Sequence, residues 1–267
     1  GGNLDLYISN KILGWNIQMN VVNALVYREL KTRVSQVRFG VAGVFIEPLG
    51  VMCVFLLLFR LLRSRPTPIP LYLFLGSGIV LFTMFSDVAI RSSNGMKANE
   101  ALFFYKPVKP IDTVLARTIV ESCLYAIVFI VIIFGTFLIK QQIILNDIAL
   151  LFLAYLGLIV CAFGVGLFLM VATFIYPSLQ QFIPLLMRPL WFISGIFISL
   201  RSIPQFIKPF LSWNPIFQAI ELTRHSFSLD FILDESVSLI YLWQCAFISL
   251  FIGFLFYSIN EKRLLTR

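Results

Sequence analysis

Charge is scarce in this 267-residue chain: 21 Lys and Arg and 13 Asp and Glu make up only 13% of it, against 59% hydrophobic residues. A soluble domain carries about 25% charged residues, so the composition excludes a water-soluble fold and implies an integral membrane protein. Histidine occurs once, at His225. Glu221 and His225 share a helix face at i and i+4, but zinc requires more protein ligands than that pair supplies. The four cysteines, Cys53, Cys123, Cys161 and Cys245, sit far apart in apolar runs without CxxC spacing. They read as small buried hydrophobes and not as a disulfide framework. No GxxxxGK[ST] phosphate loop occurs, so ATP-driven work would need a separate ATPase subunit. A Ser or Cys nucleophile constellation is missing as well, which leaves little for catalysis.

What the chain has is long apolar runs. A crossing needs about 20 apolar residues for roughly 30 Å of hydrocarbon. The runs predict an all-α integral membrane fold with six spans at 41–62, 71–90, 114–139, 148–176, 182–200 and 238–257. The fifth is broken by Pro184, Arg188 and Pro189. The 28 phenylalanines suit lipid-facing helices, since phenylalanine leaves no polar group to satisfy. Net charge is +8, which cytoplasmic loops account for better than nucleic acid does. Fourteen of the 21 cations fall on the side that holds both termini and the 91–117 loop. Both termini are therefore expected in the cytoplasm. The three arginines of the 60–65 loop run against that count.

Residues 1–19 read as a tail and 20–40 as an amphipathic helix lying in the interface, ahead of the membrane domain at 41–267. Val22, Val26, Leu30, Val34 and Val37 fall on one face; Arg28, Lys31 and Arg38 lie opposite, and Arg33 interrupts the edge. The helix is either an anchor or an element that passes motion to a partner. In the long loop after the second span, residues 96–105 predict a short helix that Pro107 and Pro110 stop. Phe103, Phe104 and Tyr105, flanked by Lys97, Glu100 and Lys106, form an apolar knob rimmed with charge. Docking to another protein fits it better than a dip into the bilayer interface does.

Charges inside the spans are informative because each costs roughly 2.5–3.5 kcal/mol at mid-bilayer. Glu47, Asp87, Arg117 and Glu121 are expected to face partners across helices or a dimer, or an aqueous path. The stretch SWNPIFQAIELTRHSF puts Glu221 and Arg224 at i and i+3. Mutual pairing that braces the segment is the plainer reading and substrate contact the sharper one. Trp191, Phe197, Trp213 and Tyr241 read as packing or interfacial residues.

Taken in order, YKPVKP, SGIF followed by IP, and WNP followed by IELTR resemble the type-2 ABC exporter permeases over about residues 20–267. The nearest likeness is to inner-membrane permeases for capsular polysaccharide and O-antigen export. The resemblance implies a homodimer in the bacterial inner membrane that pairs with two ATPase subunits. ATP and Mg would belong to those subunits, and no cofactor to this chain. It implies a lipid-linked polysaccharide substrate and a periplasmic export or co-polymerase partner. It assigns ATPase coupling to the helix at 96–105 and re-entrant helices to about 192–213, and the Glu221–Arg224 pair that follows is expected to brace that re-entrant gate. It also adds a second role for Trp191, Phe197, Trp213 and Tyr241, a wall for sugar rings along a translocation path. A permease for a drug, haem or another lipid, a membrane-embedded transferase acting on lipid-linked sugars, and a non-transporting scaffold are the rival expectations.

Overall fold

The computed structural model describes residues 17–33, 42–61, 68–99, 108–138, 145–228 and 230–265, and among these the chain is helical with no strand. Helix α1 covers 17–33. It is followed by α2 (Ala42–Leu61), α3 (Leu71–Ser93), the short α4 (Gly95–Asn99), α5 (Pro110–Leu138) and α6 (Ile148–Ile175). Then come α7 (Leu179–Ile193), a 3₁₀ turn at Leu200–Ser202, α8 (Lys208–Ser212), α9 (Pro215–Phe227) and α10 (Leu239–Leu265). Four of these, α3, α5, α6 and α10, are long and apolar enough to cross a membrane. The 20-residue α2 reaches about 30 Å at 1.5 Å per residue, also a bilayer's width.

Local chemistry sets the ends. Pro70 precedes α3 and Pro110 opens α5, positions where a missing N–H costs nothing. Asp147 caps α6 by accepting the Leu150 N–H at 2.8 Å. Asn214 caps α9 in the same way from Ile216 N–H at 3.0 Å, with Pro215 at the first helical position.

Helix α3 is the central post, buried along almost its whole length and packed by α2, α5, α6 and α9. Helices α6 and α10 cross with their backbones in close contact. A Cβ added at Gly164 would lie 2.5 Å from the Leu250 nitrogen, so only glycine permits that approach. The outer face of α10 shows Phe247, Phe251 and Ile259 to its surroundings, as a lipid-facing helix does.

The apolar run expected as a span at 182–200 is not one helix. Helix α7 begins at Leu179 and stops at Ile193, only about 22 Å long at 15 residues. Pro184 and Pro189 lie within it, and the chain then turns at Gly195, where φ is +80°. A Cβ there would sit 2.7 Å from the Phe217 ring, so the turn needs glycine both for its left-handed backbone and for room.

The bundle has two polar ends. At one end lie the start of α2, the end of α3 and the end of α6, the last two tied where Thr173 Oγ1 donates to the Ser93 carbonyl at 2.6 Å. At the other end Arg60 donates to Tyr72 Oη at 2.7 Å, and Asn146 N–H reaches the Ser226 carbonyl at 3.0 Å.

Candidate functional site

Each polar end holds a buried ionic centre. The first is built on α9, whose sequence offers charge among apolar neighbours. Glu221 and Arg224 are both fully buried, and Arg224 Nη1 lies 3.4 Å from Glu221 Oε1. Arg224 Nη2 donates to the Phe74 carbonyl at 2.9 Å and the Ile196 carbonyl at 2.8 Å. Its guanidinium carbon lies 3.6 Å from the centre of the Phe74 ring, a cation–π contact. Ser199 Oγ donates to Glu221 Oε2 at 3.0 Å. One arginine thus clamps α9 to the post α3 and to the turn after α7. Pairing of Glu221 with Arg224 is what the sequence suggested, but the pair sits inside the protein and not at a surface.

The rest of α9 is held just as firmly. Gln218 Nε2 donates to the Ser212 carbonyl at 2.7 Å and the Ser236 carbonyl at 2.9 Å, while its oxygen accepts Ser238 N–H at 2.9 Å. One amide therefore joins α8, α9 and the start of α10. His225 Nδ1 lies 2.7 Å from the Phe231 carbonyl, a local brace. On the surface beside it Lys208 Nζ meets Asp234 Oδ2 at 2.5 Å. Burial pushes the Asp234 carboxyl up, but the Lys208 ammonium and the Ser236 hydroxyl and N–H outweigh it and hold the group below the usual aspartate range.

The second centre ties α1 to α3 and α5. Arg33 Nη2 lies 2.7 Å from Asp87 Oδ2, which also accepts Tyr125 Oη at 2.7 Å. Arg33 Nε is 3.4 Å and Arg91 Nε 3.0 Å from Glu121 Oε1. Arg117 Nε lies 3.3 Å from Glu29 Oε1, Arg91 Nη2 3.6 Å from Glu29 Oε2, and Arg117 Nη1 donates to the Arg91 carbonyl. A little further along, Gln18 Nε2 donates to Asp112 Oδ1 at 2.5 Å. Arg33 bridges Asp87 and Glu121, and Arg91 bridges Glu121 and Glu29, so these three acids form one network.

The aromatic candidates fall into two groups. Trp191 and Phe197 pack at a tilt on Phe55 of α2, at 5.6 and 4.4 Å between ring centres, and edge-on against each other at 4.8 Å. Trp213 is 76% exposed, and its carbonyl accepts Tyr241 Oη at 3.1 Å. Of the coupling candidates, Lys97 lies on α4, exposed, and donates to Gln180 Oε1 at 3.2 Å. Glu100, Phe103, Phe104, Tyr105 and Lys106 lie outside the described residues.

Sequence reasoning passed over Ser199, Gln218, Glu29 and Arg91, and took Arg33 for a flaw in an apolar face. A signal was present for two of them: Leu25, Glu29 and Arg33 are spaced by four and share one stripe, with Leu25 and Glu29 buried.

Residues 20–228 match the model of the family described as ABC-2 type transporter. The chain belongs to that family. It is 35% identical over 254 residues to the polysialic acid transport protein KpsM of Escherichia coli, which spans 95% of this chain and 98% of that protein. It is 26% identical over 218 residues to the capsule polysaccharide export inner-membrane protein CtrC of Neisseria meningitidis serogroup A, covering 80% and 81% of the two chains. The capsule polysaccharide export inner-membrane protein BexB of Haemophilus influenzae is 24% identical over 226 residues, 83% of this chain and 84% of that one. The protein is thus an ABC-2 permease, a transport subunit, and both ionic centres except α1's first residues fall within the family's matched span.

Proposed function

We propose that the protein is the permease of an ABC exporter that moves a lipid-linked capsular polysaccharide, or a related glycan, outward across the bacterial inner membrane. The observation that carries this reading is the end-to-end likeness to a polysialic acid transport protein. Two copies form the channel, and two separate ATPase subunits, which hold ATP and Mg, drive it from the cytoplasm. Six crossings and cytoplasmic termini fit the distribution of Lys and Arg. The broken segment from Gly195 through α8 supports a re-entrant element, because irregular backbone at membrane depth must be covered by protein. Glu221 and Arg224 brace that element, and Trp191, Phe197, Trp213 and Tyr241 border the path. A periplasmic export or co-polymerase protein receives the glycan.

The test is complementation. In a capsulated bacterium lacking its own permease, this chain together with its ATPase is expected to restore surface glycan. A chain present in the membrane at normal level, with glycan still retained inside, rejects the reading. A variant ATPase unable to hydrolyse ATP should give that retained phenotype.

A further inference from the structure

Cytoplasmic corners between membrane helices ordinarily carry Lys or Arg. The corner where α6 turns into α7 carries neither: residues 148–187 include no charged side chain. It nevertheless lies at the end that the Lys and Arg count assigns to the cytoplasm, because Thr173 ties the last turn of α6 to the end of α3, where α4 begins. A corner that only faced anionic headgroups would gain from cations and has no reason to exclude them.

What the corner shows instead is a neutral surface around an aromatic ring. Tyr176 is 64% exposed and Leu179 38%, with Pro177 and Ser178 exposed between them. Backbone bonds fix its shape. The Leu179 N–H donates to the Tyr176 carbonyl at 3.0 Å, Gln180 N–H to the Pro177 carbonyl at 3.2 Å, and Gln181 N–H to the Ser178 carbonyl at 3.3 Å. The proline stiffens the turn further, so a partner would meet the tyrosine already in place and lose little entropy in ordering it. An exposed tyrosine free of neighbouring charge on its own segment is the composition of the centre of a protein interface. The one cation in contact comes from α4, whose Lys97 Nζ donates to Gln180 Oε1 at 3.2 Å. Helix α4 is also seated on α6, where a Cβ at Gly95 would lie 3.3 Å from the Met170 side chain. The corner and α4 thus form one continuous surface.

We infer, on the basis of the ATP-driven permease proposed above, that the corner at 176–180 is a second docking point for the ATPase subunit beside α4, with the Tyr176 ring seated in an uncharged pocket of that subunit. The contact gives the ATPase a grip on α7 that does not pass through α3. Helix α7 runs from the corner to the turn at Gly195, and Arg224 holds the next carbonyl, that of Ile196. The same Arg224 Nη2 holds the Phe74 carbonyl of α3. A partner seated on both α4 and the corner therefore acts on the two elements that this one guanidinium joins at the far end of the bundle.

The test uses membranes holding the chain and its ATPase, with photoreactive benzoylphenylalanine in place of Tyr176, of Lys97, or of Phe247 on the outer face of α10. Illumination is expected to join permease to ATPase from positions 176 and 97 and not from 247. Absence of the product from 176, with both subunits present, overturns the inference. Surface glycan restored by the unmodified chain then leaves the transport reading standing, and its absence sinks that reading as well. A product from 176 without restored glycan keeps the docking point and sinks the glycan reading. Truncation measures the weight of the contact. Y176A should lower the ATPase co-purified with the permease about tenfold, while Y176F, which keeps the ring, retains it. An undiminished complex from Y176A returns the tyrosine to the bilayer interface and overturns the inference. Where Y176A does not accumulate, the photoproduct decides, since benzoylphenylalanine keeps an aromatic ring at 176.

Discussion

The weight that a single buried charge carries is plainest at Arg224. It is fully buried, and its two Nη groups reach Glu221 and two carbonyls from different segments, Phe74 and Ile196, while its Nε has no hydrogen-bond partner among the described residues. Removing it leaves the Glu221 carboxylate inside the protein with only the Ser199 hydroxyl and the Leu200 N–H for company. Breaking a buried pair in this way costs about 3–5 kcal/mol, whereas replacing both members by apolar residues of similar size is often neutral. Arg224→Met should therefore lower the thermal midpoint in detergent sharply, and Glu221→Leu/Arg224→Met should recover much of the loss. A double variant as unstable as Arg224→Met would mean that the arginine's bonds to the two carbonyls, and not the ion pair, hold α9. Lysine at this position should rescue poorly. Its ammonium has no planar fork to reach Glu221, Phe74 and Ile196 together.

At the scale of elements, α1 is joined to the spans by charge more than by packing. Its apolar side chains Val26 and Leu30 touch a small cluster around Val120 and Leu124, while Glu29 and Arg33 reach α3 and α5. Arg33→Ala removes both of its contacts and leaves Asp87 with Tyr125 alone among its hydrogen-bond partners. Losing hydrogen bonds to a charged group, at about 1.5–3 kcal/mol, should speed amide exchange across 17–33 by tenfold or more while α6 and α10 keep their protection. Unchanged exchange in α1 would show that apolar contact alone secures it. The apolar periodicity made α1, α3, α5, α6 and α10 legible from sequence, because hydrocarbon demands length and hydrophobicity that few residue patterns supply. The break after Ile193 was not legible as a position. Proline marks where a helix is weakened, but Pro184 and Pro189 stay inside α7 and the chain turns only at Gly195, whose need for glycine depends on Phe217 from another element. The site was read in part for the same reason. Glu221 and Arg224 pair locally, so spacing revealed them. Ser199, Glu29 and Arg91 enter through contacts across helices, which spacing within one segment does not encode.

For the whole molecule, the two ionic centres divide the labour that an ATP-driven permease requires. One centre fixes α9 to the central post at the end that the charge distribution assigns to the outside. The other binds α1 to α3 and α5 at the end where α4 begins, a few residues before Phe103, Phe104 and Tyr105 in the sequence. Asn94, between α3 and α4, bonds its N–H to the Arg91 carbonyl, and Arg91 belongs to the network, so a push from an ATPase at α4 would reach α3 there. We propose that α3, buried along almost its whole length, then moves as one body. On this view the aromatic knob is the handle and the network the wrist. Replacing Phe103, Phe104 and Tyr105 together by alanine should abolish co-purification of the ATPase while the permease still accumulates in the membrane and still forms its dimer. Arg91→Ala should do the reverse, leaving the ATPase bound but lowering glycan export. An intact complex from the triple alanine chain would remove the docking role from the knob and return it to the bilayer interface.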